Sequence, residues 1–328
     1  MDRSVLFIGG TGIISAGSVA LAHDRGWRVT VLNRGQNTAR PLPEGVEVLA
    51  ADIRDTAALR ESLGDREFDA VADFLSYTPD QLAATVDVLG GRTGQYVYIS
   101  SASAYQTPPR SLPITEATTL CNPVWQYSRD KIAGEEFLVR AWRESRLPIT
   151  IVRPSHTYDR TSTVLGGGRA MVRRLMEGRP VVVHGDGTSL WTLTHSNDFA
   201  KAFVGLLGHY AAIGEVFHIT SDEALAWNAI VALFADAAGT HPQIVHATSE
   251  QIAAVHDGWG EALLGDKGHS MVFDNTKVKR LVPDFVCTTP FSAGVRDIVA
   301  YFADHPEPAP TEADLEPAIA ALVERYGA

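Results

Sequence analysis

Short apolar runs alternate with helix-length amphipathic stretches along the first half of the chain. The apolar, β-branched runs predict strands, and the stretches between them carry apolar residues at helical spacing. We expect strands at Val5–Ile8, Trp27–Leu32, Val46–Leu49, Asp69–Phe74, Tyr96–Ser100 and Ile149–Arg153. We expect helices at Ile14–Arg25, Thr56–Leu63, Pro79–Leu89 and Tyr127–Arg146. This alternation predicts an α/β fold with a doubly wound parallel sheet that is covered by helices on both faces.

The second half is less regular and predicts a smaller C-terminal lobe over the carboxyl edge of the sheet. Its expected elements are helices at Met171–Glu177, Asn197–Leu207, Trp227–Ala237 and Phe291–Phe302 and strands at Pro180–His184 and Val216–Thr220. We divide the chain into residues 1–156 and residues 157–328, and we expect returns to the first part near 192–220 and 286–304. Pro306–Pro310 predicts a stiff linker into a last helix, Glu312–Tyr326.

Composition and charge exclude several classes of protein. The chain has 328 residues, of which 45% are hydrophobic and 20% charged, as in ordinary globular proteins. Lys and Arg number 28 against 39 Asp and Glu, and the net charge of −11 disfavours nucleic acid, which requires a basic face. Two cysteines, no signal-peptide pattern and no apolar run of membrane length predict a cytoplasmic protein without a membrane partner. The histidines form no H-E-x-x-H motif and have no cysteine partners, so we expect no metal site.

A glycine-rich loop follows the first predicted strand and opens the first predicted helix. Gly9 permits a tight turn, and Gly12 lets a pyrophosphate approach the backbone N–H groups at the helix N-terminus. This context favours dinucleotide binding over a plain strand-to-helix turn, and it makes residues 1–156 a Rossmann-type dinucleotide-binding domain. The loop residues expected to bind the cofactor are Gly9, Thr11, Gly12, Ile13 and Ile14.

The second predicted strand ends in Asn33 and Arg34, where proteins dedicated to NAD usually carry an acidic residue for the ribose 2′-hydroxyl. An arginine at this place suits a 2′-phosphate, so the sequence favours NADP over NAD, although a solvated loop cation is the alternative. The ends of the third and fourth strands are placed to face the cofactor from either side. Their candidate residues are Asp52, Ile53, Phe74, Leu75 and Ser76.

Tyr127 and Lys131 are four residues apart and share one face of a predicted helix. The nearby Lys131 ammonium, together with the positive ring of an oxidised cofactor, favours the phenolate, which would lower the pKa of the Tyr127 phenol and make it an acid/base. The fifth strand runs into the hydroxyl-rich loop Ser100–Tyr105, where a hydroxyl can bond the reacting oxygen. Most Tyr-x-x-x-Lys pairs are surface pairs, but the glycine loop and the serine loop upstream favour a catalytic role here.

Together these motifs resemble the short-chain dehydrogenase/reductase superfamily, and most closely its extended branch of NAD-dependent epimerases and dehydratases. The resemblance covers Gly9–Ser15, Asp52, Ser100–Tyr105, Tyr127 with Lys131, Arg153–Tyr158, His195–Asp198 and Phe273–Lys277. It implies that Ser101 polarises the substrate oxygen, Tyr127 is the acid/base and Lys131 supports it. It also implies further cofactor contacts from Ser100, Tyr127, Lys131, Pro154 and His156.

Departures from the family pattern concern the substrate more than the cofactor. The glycine loop ends in Ser15 where the family usually has glycine or alanine, and His156 stands where nucleotide-sugar members commonly carry asparagine. Trp191 falls where those members have a diphosphate-binding arginine, and Leu264 where they have a second one. A diphosphate would then depend on Lys267 or on Arg169, Arg173 and Arg174, which weakens the nucleotide-sugar interpretation.

Several residues are candidates for substrate binding, each with a structural alternative. His156 could bond a substrate oxygen or be structural, and Trp191 could stack on a ring or belong to the core. Arg169 follows three glycines that could form a flap or only a loop, and Lys267 lies in a polar segment that could equally be a surface turn. His195 and Asp198 are expected to cap a helix. The full set of substrate candidates is Ser101, Ser103, His156, Arg169, Trp191 and Lys267.

The function that fits these residues is hydride transfer between NAD(P) and a carbinol carbon of a sugar, sugar nucleotide or nucleoside-like substrate. The net reaction could be a redox conversion or an epimerisation. The alternative is a non-catalytic relative that senses a dinucleotide or associates with RNA. Relatives dimerise through helices like Pro79–Leu89 and Tyr127–Arg146, so a homodimer is left open.

Overall fold

The computed structural model describes residues 3–35, 39–307 and 314–327. Its first half alternates strands and helices, each within one residue of its predicted bounds. The strands are β1 (Ser4–Ile8), β2 (Arg28–Asn33), β3 (Glu47–Ala50), β4 (Ala70–Asp73), β5 (Tyr96–Ile99) and β6 (Ile149–Pro154). The helices are α1 (Ile13–Asp24), α2 (Thr56–Leu63), α3 (Pro79–Leu89) and α4 (Gln126–Ser145).

These strands form one parallel sheet in the order β3-β2-β1-β4-β5-β6. The chain turns from one half of the sheet to the other between β1 and β4, and ligands of such folds bind at the carboxyl ends of the strands at this point. Side chains of β1 alternate between two apolar layers, with Val5 and Phe7 in one and Leu6 and Ile8 in the other. Both faces of the sheet are therefore covered, as the apolar runs predict, and the Rossmann-type fold is confirmed.

The second half adds one strand to this sheet and builds three small two-stranded pairs. Its strands are β7 (His156–Tyr158), β8 (Val181–His184), β9 (Leu190–Trp191), β10 (Leu193–His195), β11 (Glu215–Ile219), β12 (Leu225–Ala226) and β13 (Ile244–Ala247). Its helices are α5 (Gly168–Met176), α6 (Ser196–Leu206), α7 (Trp227–Ala238), α8 (Ser249–Ala253), α9 (Asp257–Ala262), α10 (Thr276–Leu281), α11 (Phe291–Asp304) and α12 (Glu316–Tyr326). Strand β11 pairs with β6, so the return expected near 192–220 is present.

The return expected near 286–304 is only partly present and needs correction. Cys287 packs against the apolar layer of the main sheet, but α11 does not follow it there. Phe291, Val295 and Ile298 of α11 are buried in the separate apolar core of the lobe, because the apolar stripe of this helix faces α7. Residues 308–313 of the predicted linker and last helix lie outside the described residues. None of the helices in the described ranges combines the length and the apolar character needed to cross a bilayer.

Of the two residues expected to cap α6, His195 is the N-cap, whereas Asp198 lies inside the first turn and ties the helix to residues 288–289. The His195 ring accepts a hydrogen bond from the backbone N–H of Asn197 through Nδ1, at 3.3 Å. Asp198 is buried and accepts hydrogen bonds from the backbone N–H groups of Thr288 and Thr289 and from the Lys201 ammonium. Burial alone would raise the pKa of Asp198, but these donors outweigh it and hold the pKa below its usual value.

Replacing Asp198 by Asn should lower the free energy of unfolding by about 2 kcal/mol, because buried donors lose a charged acceptor. The folded-state pKa is depressed, so this stability is present at neutral pH and is lost as acid protonates Asp198 below its usual range. Urea denaturation of both proteins at several pH values measures the difference. Asp80→Asn, at the exposed first turn of α3, is the matched control and should change little. An equal effect of both substitutions would contradict the account.

Candidate functional site

The glycine loop between β1 and α1 is shaped for close approach of a ligand. Gly9 has a φ of +88°, and a Cβ at this position would lie 2.5 Å from the Leu75 Cγ atom. Gly12 is the N-cap residue of α1, so no capping side chain covers the helix N-terminus. The positive end of the helix dipole and its free N–H groups are therefore open to an anion.

Ser15, the departure from the usual glycine or alanine, braces this loop from inside. Its hydroxyl donates a hydrogen bond to the Gly9 carbonyl at 2.5 Å and accepts one from the Gly12 N–H at 2.9 Å. The side chain is buried, so these bonds are shielded from water. A serine is accommodated at this position because its hydroxyl forms hydrogen bonds with two backbone groups of the loop.

A groove of about 320 Å³, here called the cofactor groove, runs from the glycine loop along the carboxyl ends of β1 to β4. Its lining includes most of the residues predicted for the cofactor on this side of the sheet. The lining residues are Gly9, Thr11, Gly12, Asn33, Arg34, Gly35, Ala51, Asp52, Ile53, Arg54, Leu75 and Tyr77. Arg54 and Tyr77 were not predicted, since isolated loop residues carry no motif.

Arg34 lies at the open end of the cofactor groove with its side chain about half exposed. Its guanidinium is 3.9 Å from the Asp52 carboxylate, a loose ion pair that leaves the arginine's donors available. Asn33 accepts a hydrogen bond from the Gly35 N–H at 2.7 Å, which fixes the turn that carries Arg34. This end of the groove therefore presents two cations, Arg34 and Arg54, beside one carboxylate.

Three residues predicted to contact the cofactor have other roles in the structure. Phe74 is buried in the apolar layer behind the sheet, where its ring lies against Phe203. The Ser76 hydroxyl is buried and donates to the Asp73 carboxylate at 2.6 Å. The Ser100 hydroxyl is buried and donates to the Glu135 carboxylate at 2.5 Å. All three follow the ends of their strands, and their side chains make these buried contacts instead of lining the cofactor groove.

Ile13 and Ile14 of the glycine loop, both predicted to contact the cofactor, differ in their surroundings. Ile13 begins α1 and is absent from the lining of both recesses described here, whereas Ile14 lines the second recess. Pro154 and His156, at the end of β6 and the start of β7, also line that second recess. The two recesses meet near Tyr77, whose ring centroid is 6.4 Å from that of Tyr127.

The side chain of Lys131, in α4, is almost completely buried beneath the place where the two recesses meet. Its ammonium donates to the Ser76 carbonyl at 3.0 Å and to the Ile99 carbonyl at 2.8 Å, and it lies over the rings of Tyr77 and Tyr98. Burial lowers the pKa of Lys131 to about 8, although the nearby carboxylates of Asp73 and Glu135 favour the charged form. An ammonium has three donors, so one remains for a ligand or for the tyrosine.

Tyr127 lies in the first turn of α4, and its ring centroid is 5.9 Å from the Lys131 ammonium. Burial raises the pKa of Tyr127 to about 12; the Ser101 hydroxyl acts in the opposite direction, and the Asp266 carboxylate raises the pKa further. Lys131 is not among the groups that shift this pKa in the protein without ligands, where its ammonium is bound by two backbone carbonyls. The lowering expected from Lys131 together with the positive ring of the oxidised cofactor therefore stays a prediction.

A chain of hydroxyls extends from Ser101 into the protein. The Ser101 and Ser103 hydroxyl oxygens are 2.9 Å apart, and Ser128 donates to Ser103 at 2.8 Å. Asn122 holds the same loop by donating to the Ser103 carbonyl at 3.1 Å. Ser101 is thus fixed beside Tyr127 by a network that leaves it at the cavity surface.

The second recess, here called the substrate cavity, has a volume of about 270 Å³ and lies between the sheet edge and the lobe. It brings together nearly all the predicted catalytic and substrate residues. Its lining comprises Ile14, Ser101, Ala102, Ser103, Trp125, Tyr127, Pro154, Ser155, His156, Thr157, Trp191, Thr192, Asp266, Lys267, Met271 and Phe273. Aromatic walls with several polar side chains between them are typical of a site for a small molecule.

Asp266 is an acidic residue of the cavity that sequence reasoning missed. It lies in a single π-helical turn, Leu263–Lys267, whose Gly265 carbonyl accepts a hydrogen bond from Asn122 at 2.6 Å. Such turns often occur at functional sites. The Lys267 ammonium is 3.3 Å from the Asp266 carboxylate, and burial raises the pKa of Asp266 despite this partner.

Arg169 does not reach the substrate cavity, which corrects its assignment to the substrate. It lies in α5 with its guanidinium over the Phe302 ring, and it donates to the His305 carbonyl at 2.7 Å. The neighbouring Arg174 is paired with Glu316 of α12 at 2.8 Å. The buried face of α5 is set by its packing in the lobe core, so its arginines are directed towards the C-terminal helices.

One family model and several known proteins match the sequence of this chain. The model of the family described as NAD dependent epimerase/dehydratase matches residues 5–220. The 2′-dehydrokanamycin reductase of Streptomyces kanamyceticus is 29% identical over 285 residues, which cover 86% of this chain and 79% of that protein. The chloroplast stem-loop binding protein of 41 kDa b of Arabidopsis thaliana is 26% identical over 258 residues, which cover 75% and 66%.

Solved structures share the fold at low sequence identity. The epimerase Mth375 of Methanothermobacter thermautotrophicus superposes with a TM-score of 0.76 at 17% identity, covering 93% of both chains. The UDP-glucuronic acid 4-epimerase of Bacillus cereus, solved with UDP-glucuronic acid and NAD, superposes with a TM-score of 0.74 at 18% identity. That match covers 92% of this chain and 100% of the other.

Two neighbours of Tyr127, Asp266 and Ser101, shift its pKa in opposite directions. Asp266→Asn removes a negative charge and should lower the pKa of Tyr127, whereas Ser101→Ala removes a favourable hydroxyl and should raise it. Tyrosinate absorbance during an alkaline titration, taken as the difference from a Tyr127→Phe background, measures both shifts. Asp130→Asn, one turn away on α4, is the control and should leave the pKa unchanged. Shifts in the same direction for Asp266→Asn and Ser101→Ala would contradict the account.

Proposed function

Because the chain belongs to the NAD dependent epimerase/dehydratase family, we propose that it transfers a hydride between a nicotinamide cofactor and a carbinol carbon of a polyhydroxylated ring. The family makes it an enzyme of the NAD-dependent epimerase, dehydratase and reductase type. The observation that carries the proposal is the meeting of Ser101, Tyr127 and Lys131 where the cofactor groove joins the substrate cavity.

Tyr127 moves the proton. In the reducing direction its hydroxyl gives a proton to the substrate carbonyl oxygen, and in the oxidising direction the phenolate takes that proton from the substrate hydroxyl. A pKa of about 12 keeps Tyr127 protonated at neutral pH, which is the state that reduction needs. Ser101 donates a hydrogen bond to the same substrate oxygen. The nicotinamide cofactor supplies or accepts the hydride.

The cofactor groove fits a dinucleotide. The uncovered N-terminus of α1 suits a pyrophosphate, and the space kept open by Gly9 allows the backbone to approach it. The remaining donor of the Lys131 ammonium suits a ribose hydroxyl. Arg34 and Arg54 suit a 2′-phosphate, so the proposed cofactor is NADP in preference to NAD.

The substrate cavity suits a ring with several hydroxyls. Trp125 and Trp191 provide aromatic walls, and Ser103, His156 and Lys267 provide polar groups around them. The reductase relative is named for a keto derivative of a sugar-bearing compound, which supports reduction of a ring carbonyl as the direction of this enzyme. A sugar nucleotide is the other candidate substrate, as in the UDP-glucuronic acid 4-epimerase.

The stem-loop binding relative favours a second candidate, association with RNA. The net charge of −11 opposes it, because RNA binding depends on cations that neutralise phosphates. The assembled Ser101, Tyr127 and Lys131 also favour the enzyme, since a binding protein does not need an acid/base.

Tyr127→Phe should reduce turnover by about 10²- to 10⁴-fold, because the proton donor is lost while the ring is kept. The assay follows NADPH oxidation with 2′-dehydrokanamycin and, in parallel, with the 4-keto derivative of UDP-glucose, the ketone obtained by oxidising its 4-hydroxyl. Cofactor affinity, measured by calorimetry with NADP⁺, should stay unchanged. Tyr210→Phe is the control, since Tyr210 is 88% exposed and remote from both recesses. Full turnover by Tyr127→Phe would remove the mechanism.

Arg34→Ala should weaken NADP⁺ binding about tenfold and leave NAD⁺ binding unchanged, because only NADP⁺ carries the 2′-phosphate. Calorimetry with both dinucleotides measures the ratio of the two dissociation constants. Arg60→Ala is the matched control, because Arg60 is an exposed arginine paired with Asp87 outside the groove. An equal loss for both cofactors in Arg34→Ala would contradict the NADP assignment.

A further inference from the structure

One wall of the substrate cavity is formed by His156, at the start of β7, and Trp191 in β9. The indole Nε1 of Trp191 donates a hydrogen bond to His156 Nδ1 at 3.1 Å, and the two rings meet edge to face. An indole nitrogen can only donate, so His156 Nδ1 must be the acceptor and carries no proton. A neutral imidazole with an unprotonated Nδ1 has its hydrogen on Nε2.

Trp191 cannot easily turn away from this bond. Its side chain is 4% exposed and stacks on the Trp227 ring with a centroid distance of 5.5 Å. Trp227 is held in turn, because its indole nitrogen donates to the Lys267 carbonyl at 3.1 Å and its ring meets His184 edge to face. This stack fixes the direction of the Trp191 N–H, and so it fixes the tautomer of His156.

The other ring nitrogen of His156 is available to a ligand. Within the described ranges, Nδ1 of His156 has the Trp191 N–H as its hydrogen-bond partner. Nε2 is the other ring nitrogen, and His156 lines the cavity. Burial lowers the pKa of His156 to about 3, and the Lys267 ammonium acts in the same direction. The ring is therefore a neutral donor at neutral pH.

We propose that His156, held in its Nε2–H form by Trp191, donates a hydrogen bond to an oxygen of a substrate ring that bears no diphosphate. This inference deepens the proposed function and rests on it, since it concerns the same cavity. His156 is the specificity-determining residue, and Trp191 is the positioning residue that acts through it.

The charges around the cavity support a substrate without a diphosphate. Among the described residues that line it, Lys267 is the only Lys or Arg, and its ammonium is 3.3 Å from the Asp266 carboxylate. The pair brings no net positive charge, and Arg169 lies elsewhere against Phe302. Two buried phosphate charges would find no free cation here, and unpaired buried charges are strongly unfavourable. A hydroxylated ring needs only neutral donors and aromatic faces.

The first measurement tests the tautomer without any substrate. Long-range ¹H–¹⁵N spectra of the full chain, labelled with ¹⁵N-histidine and loaded with NADP⁺, distinguish Nε2–H from Nδ1–H and from imidazolium. The His156 signals are assigned by their loss in His156→Gln. We expect the pure Nε2–H form in the wild type and a mixture of forms in Trp191→Phe, which keeps an aromatic ring without the N–H. Another form in the wild type, or an unchanged spectrum in Trp191→Phe, would overturn the role of Trp191.

The second measurement tests the ligand class by calorimetry on the NADP⁺-loaded protein, with kanamycin and UDP as probes. Kanamycin should bind about five- to tenfold more weakly to His156→Phe and to Trp191→Phe, the loss expected for about one hydrogen bond. His156→Gln keeps an N–H donor and should restore most of the affinity. UDP should show no saturable binding. Saturable UDP binding, no binding of kanamycin to the wild type, or an unchanged kanamycin affinity in His156→Phe would each overturn the proposal.

These outcomes are separate from the test of hydride transfer. If Tyr127→Phe stays fully active while the tautomer of His156 is as expected, the acid/base mechanism fails and the fixed donor remains. If the tautomer is wrong while Tyr127→Phe is inactive, the reverse holds.

Discussion

The buried ammonium of Lys131 is the interaction on which the site depends. It joins α4 to the loop after β4 and to the end of β5 by donating to the carbonyls of Ser76 and Ile99. A buried charge without such partners would be strongly unfavourable, so the two carbonyls and the nearby carboxylates keep it in place. One turn later, Glu135 binds Arg153 of β6 as a buried ion pair. Helix α4 is thus fixed against three strand ends, and Tyr127 is fixed with it.

This arrangement separates the tasks of the two halves of the chain. The glycine loop, braced by Ser15, and the open end at Arg34 form a groove with the features of a dinucleotide site. The lobe contributes Trp191 and the Asp266–Lys267 pair to the other recess. Ser101 and Tyr127 line the substrate cavity, and the Tyr127 ring centroid is 6.4 Å from that of Tyr77 in the cofactor groove, so the proposed chemistry lies at the boundary between the sheet and the lobe.

Much of the fold could be predicted from sequence because strand and helix periodicities differ, and the glycine loop and Tyr127–Lys131 have fixed spacings within single elements. Side-chain direction was harder. Strands covered on both faces are apolar throughout, so nothing in the pattern shows that Phe74 enters the core. Asp266 was missed because its position depends on Asn122, far away in sequence. Arg169 was misplaced because the packing of α5 and its contact with Phe302, not the preceding glycines, set its direction.

The proposed reaction transfers a hydride and a proton to or from a ring carbinol beside Tyr127. The most direct test is the reduction of 2′-dehydrokanamycin with NADPH deuterated at the transferring position of the nicotinamide, followed by mass spectrometry of the product. We expect one deuterium at the reduced ring carbon with the wild type, and a yield of labelled product at least about 10²-fold lower in the same time with Tyr127→Phe. Label absent from a product that forms, or equal yields of labelled product from both proteins, would contradict the proposed reaction.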